Sequence, residues 1–327
     1  MKLVAFGEAM MRLSPPNFRR LEQAVAFDVH IGGAELNVAV GMARLGWSAV
    51  WVSRLPNNPL GRMLRNRARE QGVDTSAIVW AEGERLGVYY VEFGAAPRAS
   101  SVLYDRAHSA ISRIQPGTVD WPSVFKDAAL FHTTGITPAL SDSAAEATAE
   151  AVKAAKAAGL KVSYDLNYRA KLWSQEQARR VQTPLMDSVD ILFTTEEDTE
   201  RVFGIKASSY EDVARMLADR FGFEAVVITL RQDLSVWRNN WSALVCSKGQ
   251  IYKSRTYALE IVDRLGGGDS CSAGFLSEFL RHGDLQKAIE FGVAFSALEH
   301  SIPGDFNCVN PDEVEALLKG AGLRIAR

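Results

Sequence analysis

The sequence predicts an α/β fold: a mostly parallel central sheet with helices on both faces, and a small protruding β-sheet. Three observations predict it. Short apolar runs alternate with helix-like stretches along most of the 327 residues, the pattern of a parallel sheet built from strand–helix units. The hydrophobic share of 47% is ample for a sizeable core and argues against long disorder. Two pairs of short strand-like segments, with polar or turn-forming neighbours, interrupt the alternation.

In chain order, residues 3–6, 49–53, 129–132, 161–165, 190–193 and 225–229 read as buried strands. Residues 36–45, 60–71, 143–158, 175–187 and 210–221 between them read as helices. Ligands of such sheets bind beyond the carboxyl ends of the strands, where Asp165, Thr194 and Thr229 fall. The interrupting segments, 10–13 with 25–31 and 88–93 with 102–104, are interleaved with the main units. One domain over residues 1–327 is therefore expected, with lid strands from about 10–31 and 86–105 that exclude water from a site. Ordinary edge hairpins would give the same periodicity.

A net charge of −2 provides no general attraction to nucleic acid or an anionic membrane. Cys246, Cys271 and Cys308 lie far apart and form no Cys-x-x-Cys pair, so neither a disulfide framework nor a zinc site is expected, and a reducing cytoplasm fits. No stretch approaches the ~20 apolar residues of a membrane-spanning helix, and the first apolar run is too short for a signal-peptide core. A soluble cytoplasmic protein is expected.

The strongest local signal is Asp263-Arg-Leu-Gly-Gly-Gly-Asp269, followed by a helical pattern through Arg281. Consecutive glycines at a helix start let N–H groups converge on an anion, and the helix dipole favours it there. Such a hole suits the charge that builds on a phosphate in phosphoryl transfer. An Asp at its mouth can take the proton of an attacking hydroxyl. The plain alternative is a tight turn with Asp269 as helix cap. The motif is not a Walker P-loop, having no Gly-Lys-Ser/Thr, and not a dinucleotide fingerprint.

The segment resembles the C-terminal signature of the ribokinase/PfkB carbohydrate kinases, Asp-Thr-x-Gly-Ala-Gly-Asp-x-Phe, departing at Arg264, Gly267 and Cys271. Gly32-Gly-Ala-Glu-Leu-Asn-Val-Ala39, followed by Arg44-Leu-Gly46 and Gly61, is similar to the first signature of the same family. Two signatures in the right order extend the resemblance over essentially the whole chain and imply a ribokinase-like fold. They also imply that Asp269 is the catalytic base and that the N–H groups of Gly266, Gly267 and Gly268 form the anion hole. Gly32-Gly33 would be the hinge between lid and body, with Gly33 and Asn37 holding sugar hydroxyls.

Tyr104-Asp-Arg106 and Asp165-Leu-Asn-Tyr-Arg169 each follow a strand. Arginine grips carboxylates through a planar fork of donors, although surface ion pairs are its commoner fate. These runs, with Thr229-Leu-Arg231, Asn239-Asn-Trp-Ser-Ala243 and His300-Ser-Ile-Pro-Gly-Asp-Phe-Asn307, resemble the 2-keto-3-deoxygluconate kinase branch. The implied reaction moves the ATP γ-phosphoryl group to O6 of that sugar acid. Arg106 and Arg169 would grip the acid end, with Tyr104 and Tyr90 beside it; Tyr89 is adjacent, and strand alternation lets only one of the two face a pocket.

On the nucleotide side, Thr194-Thr-Glu-Glu-Asp198 stands where the family has Asn-x-x-Glu, with Thr195 for Asn and Asp198 for the Glu that organises Mg²⁺. An acidic first turn on a helix dipole explains the same residues. Thr229 and Arg231 would lie by the phosphates, and Trp237 and Trp241 near the nucleotide. Some relatives also use K⁺ beside the anion hole, and family lids often pair in homo-oligomers. The rivals are a kinase of a neutral sugar such as fructose or ribose, a non-catalytic sugar-binding relative, and a nicotinamide-dependent oxidoreductase. The last lacks Gly-x-Gly-x-x-Gly after the first strand.

Overall fold

The computed structural model describes residues 1–320; residues 321–327 of the expected domain lie outside the described residues. The main sheet has 11 strands. Lys2–Phe6 pairs in parallel with Ser48–Pro56 on one side and with Leu130–Thr134 on the other. Beyond Leu130–Thr134 follow Lys161–Asp165, Ile191–Thr194 and Ala225–Ser235, all parallel. The order of addition reverses at the first strand, which opens a crevice at the carboxyl ends of Lys2–Phe6 and Leu130–Thr134.

The apolar runs are continuous because both sheet faces are covered. Leu3 and Ala5 enter one core while Val4 and Phe6 enter the other, and Val227 and Val226 divide the same way. Two departures have local causes. The expected helix 175–187 ends as an α-helix at Gln182 and continues as the tighter turn Thr183–Ser188, because Pro184 has no N–H to donate. Ala225–Ser235 also runs past residue 229 and folds back as the antiparallel Arg238–Ser247, on which Gln250–Lys253 and Tyr257–Glu260 pair. The polar stretch Arg231–Asp233 hides that continuation from an apolar-run search.

A separate four-stranded sheet has the order Asp28–Gly32, Met10–Ser14, Val88–Glu92, Ser101–Asp105. Its middle pair is parallel and its outer pairs antiparallel. Register puts His30, Arg12, Tyr89 and Tyr104 in one row, and Val29, Leu13, Tyr90 and Leu103 in the adjoining row, on the opposite face. The Arg12 row turns to the main sheet. The Leu13 row points outward, with Val29, Leu103 and nearby Phe27 exposed.

The lid joins the body at Gly32-Gly33. A Cβ on Gly32 would lie 2.2 Å from Asp305 Oδ2, and one on Gly33 would lie 2.2 Å from the Glu8 carbonyl oxygen. Close packing, rather than unusual dihedral angles, demands glycine here, since Gly33 is extended (φ 175°).

Candidate active site

The helix Gly267–His282 begins at Gly266, whose φ of 99° favours glycine and whose Cβ would meet the Asp305 carbonyl oxygen at 2.3 Å. The Ser270 N–H donates to the Gly266 carbonyl at 2.8 Å, so the N–H groups of Gly267, Gly268 and Asp269 have no partner in the preceding turn of the helix. Asp269 does not cap the helix; the cap position belongs to Gly266, without a side-chain bond. Its Oδ2 instead accepts from Asn37 Nδ2 at 2.7 Å.

Asp269 lies on a wall shared by two cavities. The smaller, about 110 Å³, is bounded by Gly33, Asn37, Tyr89, Tyr104, Arg106 and Arg169. The larger, about 500 Å³, is bounded among others by Thr195, Asp198, Thr229, Arg231, Gly266 and Gly268. Asn167, Arg169, Gly266 and Asp269 border both. Burial raises the Asp269 carboxyl to about 7; the Asn37 bond opposes this, the charge of Glu35 adds to it, and Arg169 opposes it. A carboxyl poised near 7 suits a general base.

Glu35 itself is buried at the switch point and accepts from the Thr134 and Thr137 hydroxyls, each at 2.8 Å. Burial pushes its carboxyl up despite these bonds. It anchors the start of Ala34–Arg44 to the strand Leu130–Thr134, which aims Asn37 at Asp269.

In the smaller cavity, Arg106 is buried and pairs with Glu8 while its guanidinium lies 5.4 Å over the Tyr104 ring. Its Nε is buried and has no hydrogen-bond partner among the described residues. Arg169 is exposed and makes no ion pair among the described residues; Nη1 donates to the Tyr168 carbonyl at 3.2 Å. Neither arginine is an ordinary surface ion pair. Tyr90 does not border the cavity: it lies on the outer face of the lid against Phe27, ring centroids 5.9 Å apart. Tyr89 takes the inner place, stacked on Tyr104 and donating to Asp305.

In the larger cavity, Thr195 caps the helix Glu196–Phe203 by accepting from the Asp198 N–H at 3.1 Å. Thr229 and Arg231 border the space, and Arg231 is 3.4 Å from Asp233. Trp241 lines it, whereas Trp237 packs on Phe18 and Phe93 at the lid edge. Gly267 borders neither cavity because its Cα faces the His300 ring, 2.3 Å from where a Cβ would be. Of the anion-hole triplet, only Gly266 and Gly268 reach the open space.

The donor set suits a phosphate-bound divalent cation better than a protein cage. No group of three His, Cys, Asp or Glu residues among those described is spaced to hold a metal. Yet burial raises the carboxyls of Asp165 and Asp198, and the Asp269 and Asp198 charges raise Asp165 further. Two carboxylates on the wall of the larger cavity would fit Mg²⁺, which keeps its waters and takes one or two carboxylates plus phosphate oxygens.

The model of the family described as pfkB family carbohydrate kinase matches residues 1–312. The chain belongs to that family. Among its pfkB relatives is the 2-dehydro-3-deoxygalactonokinase of Haloferax volcanii, 40% identical over all of this chain and 99% of the relative. A 2-dehydro-3-deoxygluconokinase of Thermoproteus tenax is 30% identical over 97% of this chain and 94% of its own. The crystal structure of a 2-dehydro-3-deoxygluconokinase from Thermotoga maritima superposes with a TM-score of 0.95, at 44% identity over 98% of each chain. The chain is thus a ribokinase-like sugar kinase.

Several residues that line the cavities of this pfkB kinase were not chosen from the sequence. Tyr89 was displaced by its neighbour, and Glu8 by the apolar run before it. Asn167 borders both cavities with a buried, unpartnered Oδ1, inside the very run that pointed to Arg169. Asp305 borders the smaller one from a loop with no periodicity to read. Among the described residues no helix is long and apolar enough to cross a membrane.

Proposed function

We propose that this kinase, as a single domain over residues 1–327, transfers the γ-phosphoryl group of ATP to O6 of 2-keto-3-deoxygluconate with Asp269 as general base. The supporting observation is the position of Asp269 on the wall shared by an arginine-lined cavity and a larger one. The sugar acid occupies the first, its carboxylate toward Arg106 and Arg169 and its hydroxyls toward Gly33, Asn37 and Asn167. ATP occupies the larger, its phosphates toward Thr195, Thr229, Arg231 and the glycine turn. Asp269 takes the O6 proton, and the first-turn N–H groups stabilise charge on the transferring group. Mg²⁺, held near Asp198, would screen the triphosphate. The lid keeps water from the phosphoryl group.

The C4 epimer, 2-keto-3-deoxygalactonate, is the alternative substrate; the 40% identity to the Haloferax volcanii enzyme favours it. Arg12 already brings positive charge to Asp263 and Asp305 beside the turn, where K⁺ would otherwise serve. The outward apolar row Val29, Leu13, Tyr90 and Leu103 suits lid-to-lid pairing of two copies. A reaction drawing on ATP, in a chain with free Cys246, Cys271 and Cys308, fits the cytoplasm.

The test is ADP release with ATP, Mg²⁺ and a panel of both keto-deoxy acids, fructose, ribose and gluconate. Turnover confined to the keto-deoxy acids supports the reading. Turnover on a neutral sugar overturns the carboxylate clamp and leaves the base in place.

A further inference from the structure

The carboxylates of Asp263 and Asp305 flank the glycine turn, and both are buried, at 1% and 5% exposure. Each holds one side of that turn. Asp263 Oδ1 accepts from the N–H groups of Arg264 (2.8 Å) and Leu265 (3.2 Å), the residues leading into Gly266. Asp305 packs its carbonyl oxygen against Gly266 and accepts the Tyr89 hydroxyl from the lid. One guanidinium joins the two. Arg12, 1% exposed on the inner face of the lid, donates through Nη2 to Asp263 Oδ2 at 2.5 Å and through Nη1 to Asp305 Oδ1 at 2.9 Å. Its Nε donates to Ser14 Oγ at 3.1 Å.

We infer that Arg12 is a positioning residue for phosphoryl transfer, tying the sugar lid to the glycine turn and setting one positive charge between the two carboxylates that flank the anion hole. Its effect on the pH profile rests on Asp269 being the base.

Buried ion pairs often contribute little net stability, since desolvation offsets attraction. What singles this one out is where its ends lie. Tyr89 borders the smaller cavity, Asp305 contacts Gly266, and Asp263 orders the two residues before it. Without the guanidinium, two buried carboxylates would stand without a cation behind a hole that has to receive phosphate. A lysine in its place would keep the sign of the charge, but one ammonium lacks the planar fork that spans both carboxylates.

The groups facing Asp269 are Asn37 and Glu35 from the helix Ala34–Arg44, Asp165 and Arg169 from the strand Lys161–Asp165 and its following loop, Glu299, and Asp305. Among them Arg12 acts most directly on Asp305, through a hydrogen-bonded ion pair, and on Glu299 through its charge alone. Losing it should therefore raise the acid limb of the kcat/KM profile, and removing the Asp305 charge as well should return it.

The experiment compares the full-length chain with Arg12→Lys, Arg12→Met, and Arg12→Met combined with Asp305→Asn. Each is assayed with ATP, Mg²⁺ and 2-keto-3-deoxygluconate after a thermal melt confirms folding. Arg12→Met is expected to lose roughly 10²-fold in kcat, the scale of an ångström-sized misplacement, with its acid limb moved to higher pH. The double variant should bring that limb back toward wild type. Arg12→Lys should keep the limb, lose about tenfold in kcat and raise the sugar KM, because the fork is gone. A folded Arg12→Met with an unmoved limb overturns the inference. If that variant does not fold, Arg12→Lys decides: kcat and sugar KM within about twofold of wild type overturn it. Asp269→Asn run in parallel separates the readings, since near-normal turnover there removes the base and not Arg12.

Discussion

Asn37 Nδ2 donates to Asp269 Oδ2 at 2.7 Å, joining the first turn of one helix to the first turn of another across 232 residues. The bond points the carboxylate and favours its charged form against the burial that raises it to about 7. The base must be ionised to work, so kcat/KM is expected to rise with pH through about 7. Asn37→Ala removes a donor to the charged form and moves that limb upward. A hydrogen bond to a charged group is worth ~1.5–3 kcal/mol, which corresponds to a shift of about one pH unit or more. A pH–rate profile from about 5.5 to 9, spanning the ordinary carboxylate and raised ranges, checks it; an unmoved limb would assign the bond to structure alone.

Asp269→Asn keeps size and the contact with Asn37 but cannot accept a proton. Turnover should fall by roughly 10²–10⁴-fold. ATP affinity by calorimetry should stay within a fewfold of wild type, because the first-turn N–H groups are backbone. Near-normal turnover would dismiss Asp269 as base.

Much of this was legible in sequence, for physical reasons. Strands buried on both faces announce themselves as apolar runs, so Lys2–Phe6, Lys161–Asp165 and Ala225–Ser235 could be found. Glycine turns announce a backbone that side chains would obstruct, as Gly266 does. Choosing between Tyr89 and Tyr90 needed the register with Arg12 and Leu13, which a period of two does not supply. Asn37 was expected on a sugar hydroxyl; its bond to Asp269 depends on two helix starts meeting in space. Arg12 reads as a lone charge in a short strand until Asp263 and Asp305 arrive from the far end of the chain.

Glu299 predicts a pH dependence of stability. It is fully buried at the end of Leu285–Glu299, and neither carboxylate oxygen has a hydrogen-bond partner among the described residues. His300 Nδ1 is 3.6 Å away, but burial lowers the proton affinity of that ring. Burial, then the nearby Asp263 and Asp305 charges, lift the Glu299 carboxyl well above 4.5. The folded state therefore holds a proton that the unfolded state releases above 4.5, so this residue's contribution falls as pH rises from there toward the folded value. Its slope approaches ~1.4 kcal/mol per pH unit within that window. In Glu299→Gln that slope is absent. Urea unfolding at about pH 5 and about pH 8 should show the variant gaining on wild type at the higher pH; parallel stabilities would mean that the carboxyl titrates normally.

The two arginines of the smaller cavity should not behave alike, although the sequence presents them as a pair. Arg106 balances the buried Glu8, and removing one partner of such a pair strands a charge at a cost of about 3–5 kcal/mol. Arg106→Gln should therefore lower the melting temperature as well as activity, and its kinetics will mix unfolding with binding. Arg169 has no ion pair among the described residues and borders both cavities. Arg169→Gln should leave the melting temperature within a degree or two, the behaviour of a surface change of about 0.5 kcal/mol or less. Its KM for the keto-deoxy acid should rise by roughly 10–10²-fold, the worth of a charge-assisted bond of ~1.5–3 kcal/mol. The same charge also helps ionise Asp269, so the acid limb of kcat/KM should move up slightly. A neutral sugar should show only this effect on the base, which makes the ratio of KM values between acid and neutral acceptors the decisive measurement. An unchanged ratio would remove Arg169 from the carboxylate clamp and leave Arg106 to hold the acid end alone.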